Sequence, residues 1–405
     1  MTASTCPTFT PLSPLPPLPI SNSFSYHGAM PLHTSFVFEP STQVSALQKH
    51  LNSFEQAPEV AAILILACDA NGYTPANLNP LLKTCTKPIL GGIFPQILHE
   101  GRAWSEGVVV VGLARAPVFV ILDNLSQQSG FEEILDRSFN LSSSPSTQTL
   151  LVFVDGFAAH ISSLIEGLFN TFGLELNYLG GGCGSLSLQS KPCVITPCGL
   201  LQDGALLIFL DHPSGVGVAH GWDSVSKPFK VTSAQGNTIH SLDWRPAFEV
   251  YQEVLTAHGG QPITPDNFFP VAKAYPFGIT RLDAEMVVRD PLMTQNQHIT
   301  CAGEVPTGAF VRVLHGNRHT LLQAAQKAHA MACKAWFESQ SRPHELQFIV
   351  DCVSRALFLE QDFLGELAVI HSSGPMLGAL TIGEIANSGQ DYLEFYNKTV
   401  VVGFF

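Results

Sequence analysis

The sequence predicts an α/β protein of two similar lobes, built from repeated strand–helix–strand–strand units with mixed sheets. Three observations carry this. Short apolar runs that reach an aspartate recur at Ala61–Asp69, Leu150–Asp155 and Leu346–Cys352. Each has the length and uniform hydrophobicity of a strand buried on both faces. Behind them come stretches with apolar residues at helical spacing, clearest at Ile161, Leu164, Ile165, Leu168 and Phe169, with Gly173 as the stop. A second apolar run then arrives on a glycine signature: Leu90-Gly91-Gly92, Leu179-Gly180-Gly181 and Leu377-Gly378-Ala379.

The first glycine of each signature lies 22, 25 and 27 residues past Asp69, Asp155 and Asp351. A third run closes each unit, at Val108–Leu113, Ala205–Leu210 and Val400–Phe405. A fourth, weaker copy is read over Phe229–Ser233, a helix at Pro246–Leu255, Phe277–Ile279 and Ala309–Leu314. Units with one helix leave a sheet face bare, so they must pack on one another. Pro213, Gly215, Gly217 and Gly221 cluster between the lobes and read as a linker. The expected division is a Pro-rich tail over 1–27, a first lobe over 28–219 and a second over 220–405. A ligand pocket is expected at the cleft between lobes.

Composition narrows the function. Charged residues make up only 13% of the chain, 45% is hydrophobic and 27 residues are Phe, which suits packed cores rather than disorder. The net charge of -13, with no Lys/Arg cluster, argues against nucleic acid and anionic membrane surfaces as partners. No segment approaches about 18 uncharged apolar residues, so no membrane insertion is expected. The Pro-rich start lacks the basic and apolar regions of a signal peptide. The nine cysteines are odd in number, include no Cys-x-x-Cys pair and sit partly inside apolar runs. That usage predicts free buried thiols in a reducing, cytoplasmic compartment.

Motifs for catalysis and metals are tested in turn. Gly180–Ser185 lacks the Lys-Ser/Thr of a phosphate-binding loop and breaks the GxGxxG frame. Cys183 has no base close in sequence. His99-Glu100 lacks a second zinc-binding His, and Gly316-Asn317 between His315 and His319 reads as a turn. Cys193 and Cys198 have no second ligand pair. No catalytic residue or metal site is therefore expected, and the protein is not expected to be an enzyme. Asp69, Asp155 and Asp351 do lie at strand ends, where α/β proteins place ligands, although Asp also caps helices there. The third is followed by Cys352, Ser354 and Arg355, then by Glu384 and Asn387 around Gly383. Such a set can orient a small polar ligand or satisfy itself as an internal network.

These last residues carry a family resemblance. Gly383-Glu384-Ile385-Ala386-Asn387, Asp351-Cys352-Val353-Ser354-Arg355 and Phe395-Tyr396-Asn397-Lys398-Thr399 resemble the C-terminal half of FIST proteins. Phe229–Thr232 with Gly236-Asn237, Pro246-Ala247 and Tyr251 are similar to the opening of the FIST C domain. Tyr275–Ile279 and Val288-Arg289-Asp290-Pro291 fit the same half. The two N-terminal glycine signatures are similar to the FIST N domain, so the resemblance spans roughly residues 28–405. One departure is Ile93-Phe94-Pro95-Gln96-Ile97, which has Gln96 where a Gly-Glu-Ile-type turn would place Glu.

The resemblance implies a sensory input module of signal transduction that binds small ligands such as amino acids. Free-standing members resemble nitric-oxide-sensing haem proteins, which implies a separate partner such as a histidine kinase. The ligand-binding candidates are Asp351, Cys352, Arg355, Glu384, Asn387 and Arg289. His240 and His371, beside apolar runs, are the candidates for holding haem. The alternatives are a haem-free sensor of a small polar metabolite and a protein-binding scaffold.

Overall fold

The computed structural model describes residues 31–140, 147–281, 285–372, 374–387 and 392–405. The Pro-rich tail expected over 1–27 lies outside them. Three six-stranded mixed sheets share one strand order. In each, an opening strand (His33–Glu39, Val118–Leu122, Gly215–Ala219) leads to a helix (Val44–Gln56, Phe131–Asn140, Arg318–Ser339) and a central strand (Ala62–Cys68, Thr149–Asp155, Gln347–Cys352). A further helical segment (Pro75–Leu82; Ile161–Phe172; Val353–Leu359 with Phe363–Ile370) returns the chain to a glycine strand (Ile89–Phe94, Asn177–Cys183, Met376–Thr381). Glycine and central strands run parallel. The closing strand (Val108–Leu113, Ala205–Leu210, Val400–Phe404) then inserts antiparallel beside the central one. The central strands are buried along their whole length, which is why they read as unbroken apolar runs.

The glycine signature has one physical cause in all three units. Gly91 faces Ile65, Gly180 faces Val152 and Gly378 faces Ile349 across the parallel pairing. A Cβ on any of these glycines would lie 1.9 Å from its partner's carbonyl oxygen. Only glycine permits that approach.

Between the glycine and closing strands each unit sends a hairpin into a neighbour. Gln96–His99 of the first unit pairs with the third unit's glycine strand. Val194–Thr196 of the second pairs with the first. Glu384–Ala386 of the third pairs with the second. The exchange is cyclic and completes each six-stranded sheet.

Two expectations are corrected. The glycine-rich stretch read as a linker is the opening strand of the third unit, which therefore begins before residue 220. Its glycines serve close packing: a Cβ on Gly217 would lie 1.9 Å from the Ala328 carbonyl oxygen of the helix Arg318–Ser339. That helix buries Ala324, Ala325, Ala328 and Ala332. The weaker fourth copy is not a copy. Its strands pair only antiparallel and, with Thr238–Leu242, Val287–Gln295 and His298–Ala302, close a barrel. This barrel is inserted between the opening strand and the first helix of the third unit.

The thiols need one correction as well. Seven described cysteines are free, five of them buried, but Cys198 is disulfide-bonded. No described helix is long and apolar enough to cross a membrane.

Candidate functional site

A cavity of about 570 Å³ opens where the second unit, the third unit and the barrel meet. The second unit contributes Phe157, His160, Leu186 and Leu188. The barrel contributes Asp290, Leu292, Cys301 and Ala302. The third unit contributes Cys352, Ser354, Thr381, Phe395 and Asn397. The walls are mainly apolar and the third-unit floor is polar.

The chain delivers that floor by a sharp change of structure. The third central strand ends on Asp351-Cys352, and the helix Val353–Leu359 starts at once, bringing Ser354 and Arg355 to the seam. Ser354 Oγ donates to Asp290 Oδ2 from the barrel. Lys398 Nζ donates to Ser354 Oγ at 3.0 Å and lies 3.2 Å from Asp290 Oδ1. Lys398 is fully buried, and its backbone carbonyl accepts from Trp222 Nε1 at 3.0 Å. Burial pushes the Asp290 carboxyl up, against the pull of Lys398.

Behind the floor lies a second layer. Arg355 binds Glu366 through both oxygens, Nε to Oε1 at 3.0 Å and an Nη to Oε2 at 2.8 Å. Its other donors reach the carbonyls of His220, Lys398 and Leu321. Asp351 faces Arg355 Nε at 3.4 Å. Burial, then the neighbouring Glu366, push the Asp351 carboxyl well above its ordinary range, against the pull of Arg355. Glu384 accepts from Thr381 Oγ1 at 3.0 Å and from the Thr399 N–H at 3.2 Å. Burial raises its carboxyl to about 8. The Cys352 thiol is pushed far up by burial and then by Glu384, so it is no ready thiolate.

The repeat supplies an internal comparison. Asp351 lies two residues past Ile349, the residue facing Gly378, so its counterparts are Ala67 and Val154. Asp69 and Asp155 lie four and three residues past theirs, so the three aspartates are not equivalent positions. Ile385, Leu98 and Ile195 face the three signature glycines, which makes Ile97 and Val194 the counterparts of Glu384. Gln96 is one residue off that position. Two units therefore hold aliphatic side chains where the third buries carboxyls. Asp69 instead pairs with Lys191 at 2.5 Å and Ser185 at 2.6 Å, and Asp155 accepts backbone N–H groups of Phe157 and Asp203.

Of the six residues expected to bind ligand, Asp351, Cys352, Arg355 and Glu384 come together here, and Cys352 lines the cavity. Arg289 donates to the carbonyls of Glu304, Val288 and Phe395, which fixes two stretches of cavity wall. Asn387 binds the Tyr178 N–H at 3.2 Å and holds the exchanged hairpin. His240 stacks on His298 in the barrel at 4.3 Å, and His371 is exposed after the helix Phe363–Ile370. Neither lines the cavity. Sequence reasoning did not single out Asp290, Lys398 and Asn397 as site residues. Their signal was a polar residue set inside two segments that carry the family resemblance.

The fold and site thus define a protein of fused repeats with a ligand-sized cavity at one seam. A FIST N domain matches residues 62–245 and a FIST C domain matches 247–387, and the chain belongs to the FIST family. FIST domains are sensory domains of signal transduction that bind small ligands. No curated protein matches the sequence. A crystal structure of chorismatase at 1.08 Å resolution is similar at a TM-score of 0.36 and 9% identity, over 93% of this chain and 99% of that one. That likeness is too slight to bear on architecture or function.

Proposed function

We propose that this protein senses a small, largely apolar molecule with a polar end, which it holds in the cavity between the second unit, the third unit and the barrel. The supporting observation is the difference at matching positions: behind the cavity floor the third unit buries Asp351 and Glu384, where the other units carry Ala67, Val154, Ile97 and Val194. The protein acts by binding, in the cytoplasm, and passes its state to a separate partner such as a histidine kinase. A ligand at the barrel seam would bias the protein toward whichever barrel position it contacts best.

A metabolite panel read by thermal unfolding tests this. A ligand at about 100 times its dissociation constant should add about 2.7 kcal/mol of stability. Ala302→Phe, which fills the cavity from the barrel side, should abolish the shift while the variant still unfolds cooperatively. A shift that survives this substitution places the ligand elsewhere and overturns the proposal.

A second reading, haem for nitric oxide sensing, comes from the family resemblance. His240 and His371 do not fit it, being off the cavity. His160 does line the cavity, and its Nδ1 meets the Gln128 carbonyl at 3.1 Å, which assigns the proton to Nδ1 and leaves Nε2 as the ligating atom. Protein from haem-supplied cells should then show a Soret band that moves with nitric oxide and is lost in His160→Ala. Colourless protein that takes up no added haem removes this reading.

A further inference from the structure

We propose that Ser354 is a nucleophile that captures an acyl group from a ligand in this cavity, with Asp290 as its base and Lys398 as the charge that steadies the forming alkoxide. The proposal rests on the cavity being the ligand site, and it names the chemistry of that ligand. Three residues far apart in sequence meet at one hydroxyl. Asp290 comes from the barrel, Ser354 from the helix after the third central strand, and Lys398 from the turn before the closing strand. Ser354 Oγ both donates to Asp290 Oδ2 and accepts from Lys398 Nζ at 3.0 Å. An Asp–Lys pair joined by direct contact at 3.2 Å needs no serine between its members. A positioned base and an adjacent cation are what activate a weak hydroxyl nucleophile. Ser354 and Asp290 also line the cavity, which sets their pair at the edge of the space a ligand would fill.

The step balances without an outside reagent. Ser354 Oγ attacks an ester carbonyl carbon, an O–C bond forms, and the hydroxyl proton passes to Asp290. The carbonyl oxygen takes the electron pair. On collapse the bond to the leaving group breaks, and that group departs as an alcohol carrying the proton from Asp290. The product is an ester on Ser354. The walls select the acyl part, since Phe157, Leu186, Leu188 and Phe395 present apolar surface. Asn397, on the same cavity, keeps its Oδ1 buried without a hydrogen-bond partner among the described residues. Asp290 and Glu304 are the carboxylates of the lining, and no Lys or Arg stands among its described residues, which disfavours a free carboxylate on the ligand. The ligand class is an uncharged ester with an apolar acyl chain.

Treatment with an alkyl fluorophosphonate and peptide mapping by mass spectrometry tests the assignment. One adduct is expected, on the peptide holding Ser354, lost in Ser354→Ala and formed at least about tenfold more slowly in Asp290→Asn. With p-nitrophenyl butyrate, a burst of about one equivalent of nitrophenolate is expected. Ser354→Cys should keep the burst, which separates loss of the nucleophile from loss of fold. A folded protein that gives a cavity-dependent thermal shift but no adduct overturns the nucleophile and leaves sensing intact. An adduct on Ser354 without a thermal shift from any compound keeps the nucleophile and overturns reversible sensing. Equal labelling of other serines overturns the assignment outright.

Discussion

At the scale of single residues, Glu384 makes the sharpest prediction. Its carboxyl has an ordinary value of 4.5 and a folded value of about 8, so between these pH values the folded state keeps a proton that the unfolded chain has released. Stability from this group is therefore greatest at low pH, falls as pH rises from about 4.5 to about 8, and is level above that. Asp351, raised by burial and by Glu366, acts with the same sign. Glu384→Gln should flatten the decline and gain at least about 2 kcal/mol over the parent at pH 8, measured by denaturant titration at pH 5 and pH 8. An unchanged pH slope would show Glu384 ionised in the fold. Asp351, Cys352, Arg355 and Glu384 were legible in sequence because they are polar residues set in or just after apolar runs. Asp290 and Lys398 were not, because their partner Ser354 lies 64 and 44 residues away. Sequence order holds no record of which distant carboxylate closes on which hydroxyl.

At the scale of elements, glycine marks where backbones touch. The signature glycines revealed the repeat correctly, since the same close approach recurs at Gly91, Gly180 and Gly378. The same residue type misled at Gly215 and Gly217, where a strand pressed against a helix looks in sequence like a flexible link. The barrel inserted between that strand and its helix hid the pairing that would have shown the difference. Gly217→Ala should force the helix Arg318–Ser339 away from its strand and cost about 3 kcal/mol or more. The measurement is the denaturant midpoint, expected to fall with its slope unchanged. A loss below about 0.5 kcal/mol would mean that the helix yields freely.

At the scale of the whole molecule, each six-stranded sheet is finished by another unit's hairpin. The second unit's sheet needs Glu384–Ala386, and the first unit's hairpin is paired only through the third unit's glycine strand. A fragment over residues 31–212 should therefore lack cooperative unfolding, while coexpression with residues 213–405 should restore it. A fragment that unfolds cooperatively alone would show that the exchange adds little. The α/β class and the threefold recurrence were legible because each copy repeats the same local pattern. The exchange was not, because hairpins such as Gln96–His99 and Glu384–Ala386 are short and their partners lie in other units.

Because the three units are joined in one chain, each seam is encoded separately. In a ring of identical subunits, a carboxyl buried at one boundary would be buried at all three, and its desolvation cost would be incurred three times over. Here Asp351 and Glu384 load the third unit, while the matching positions Ala67, Val154, Ile97 and Val194 of the other two carry no carboxyl. Covalent continuity thus lets this pair be buried, and its cost incurred, once rather than at every equivalent position.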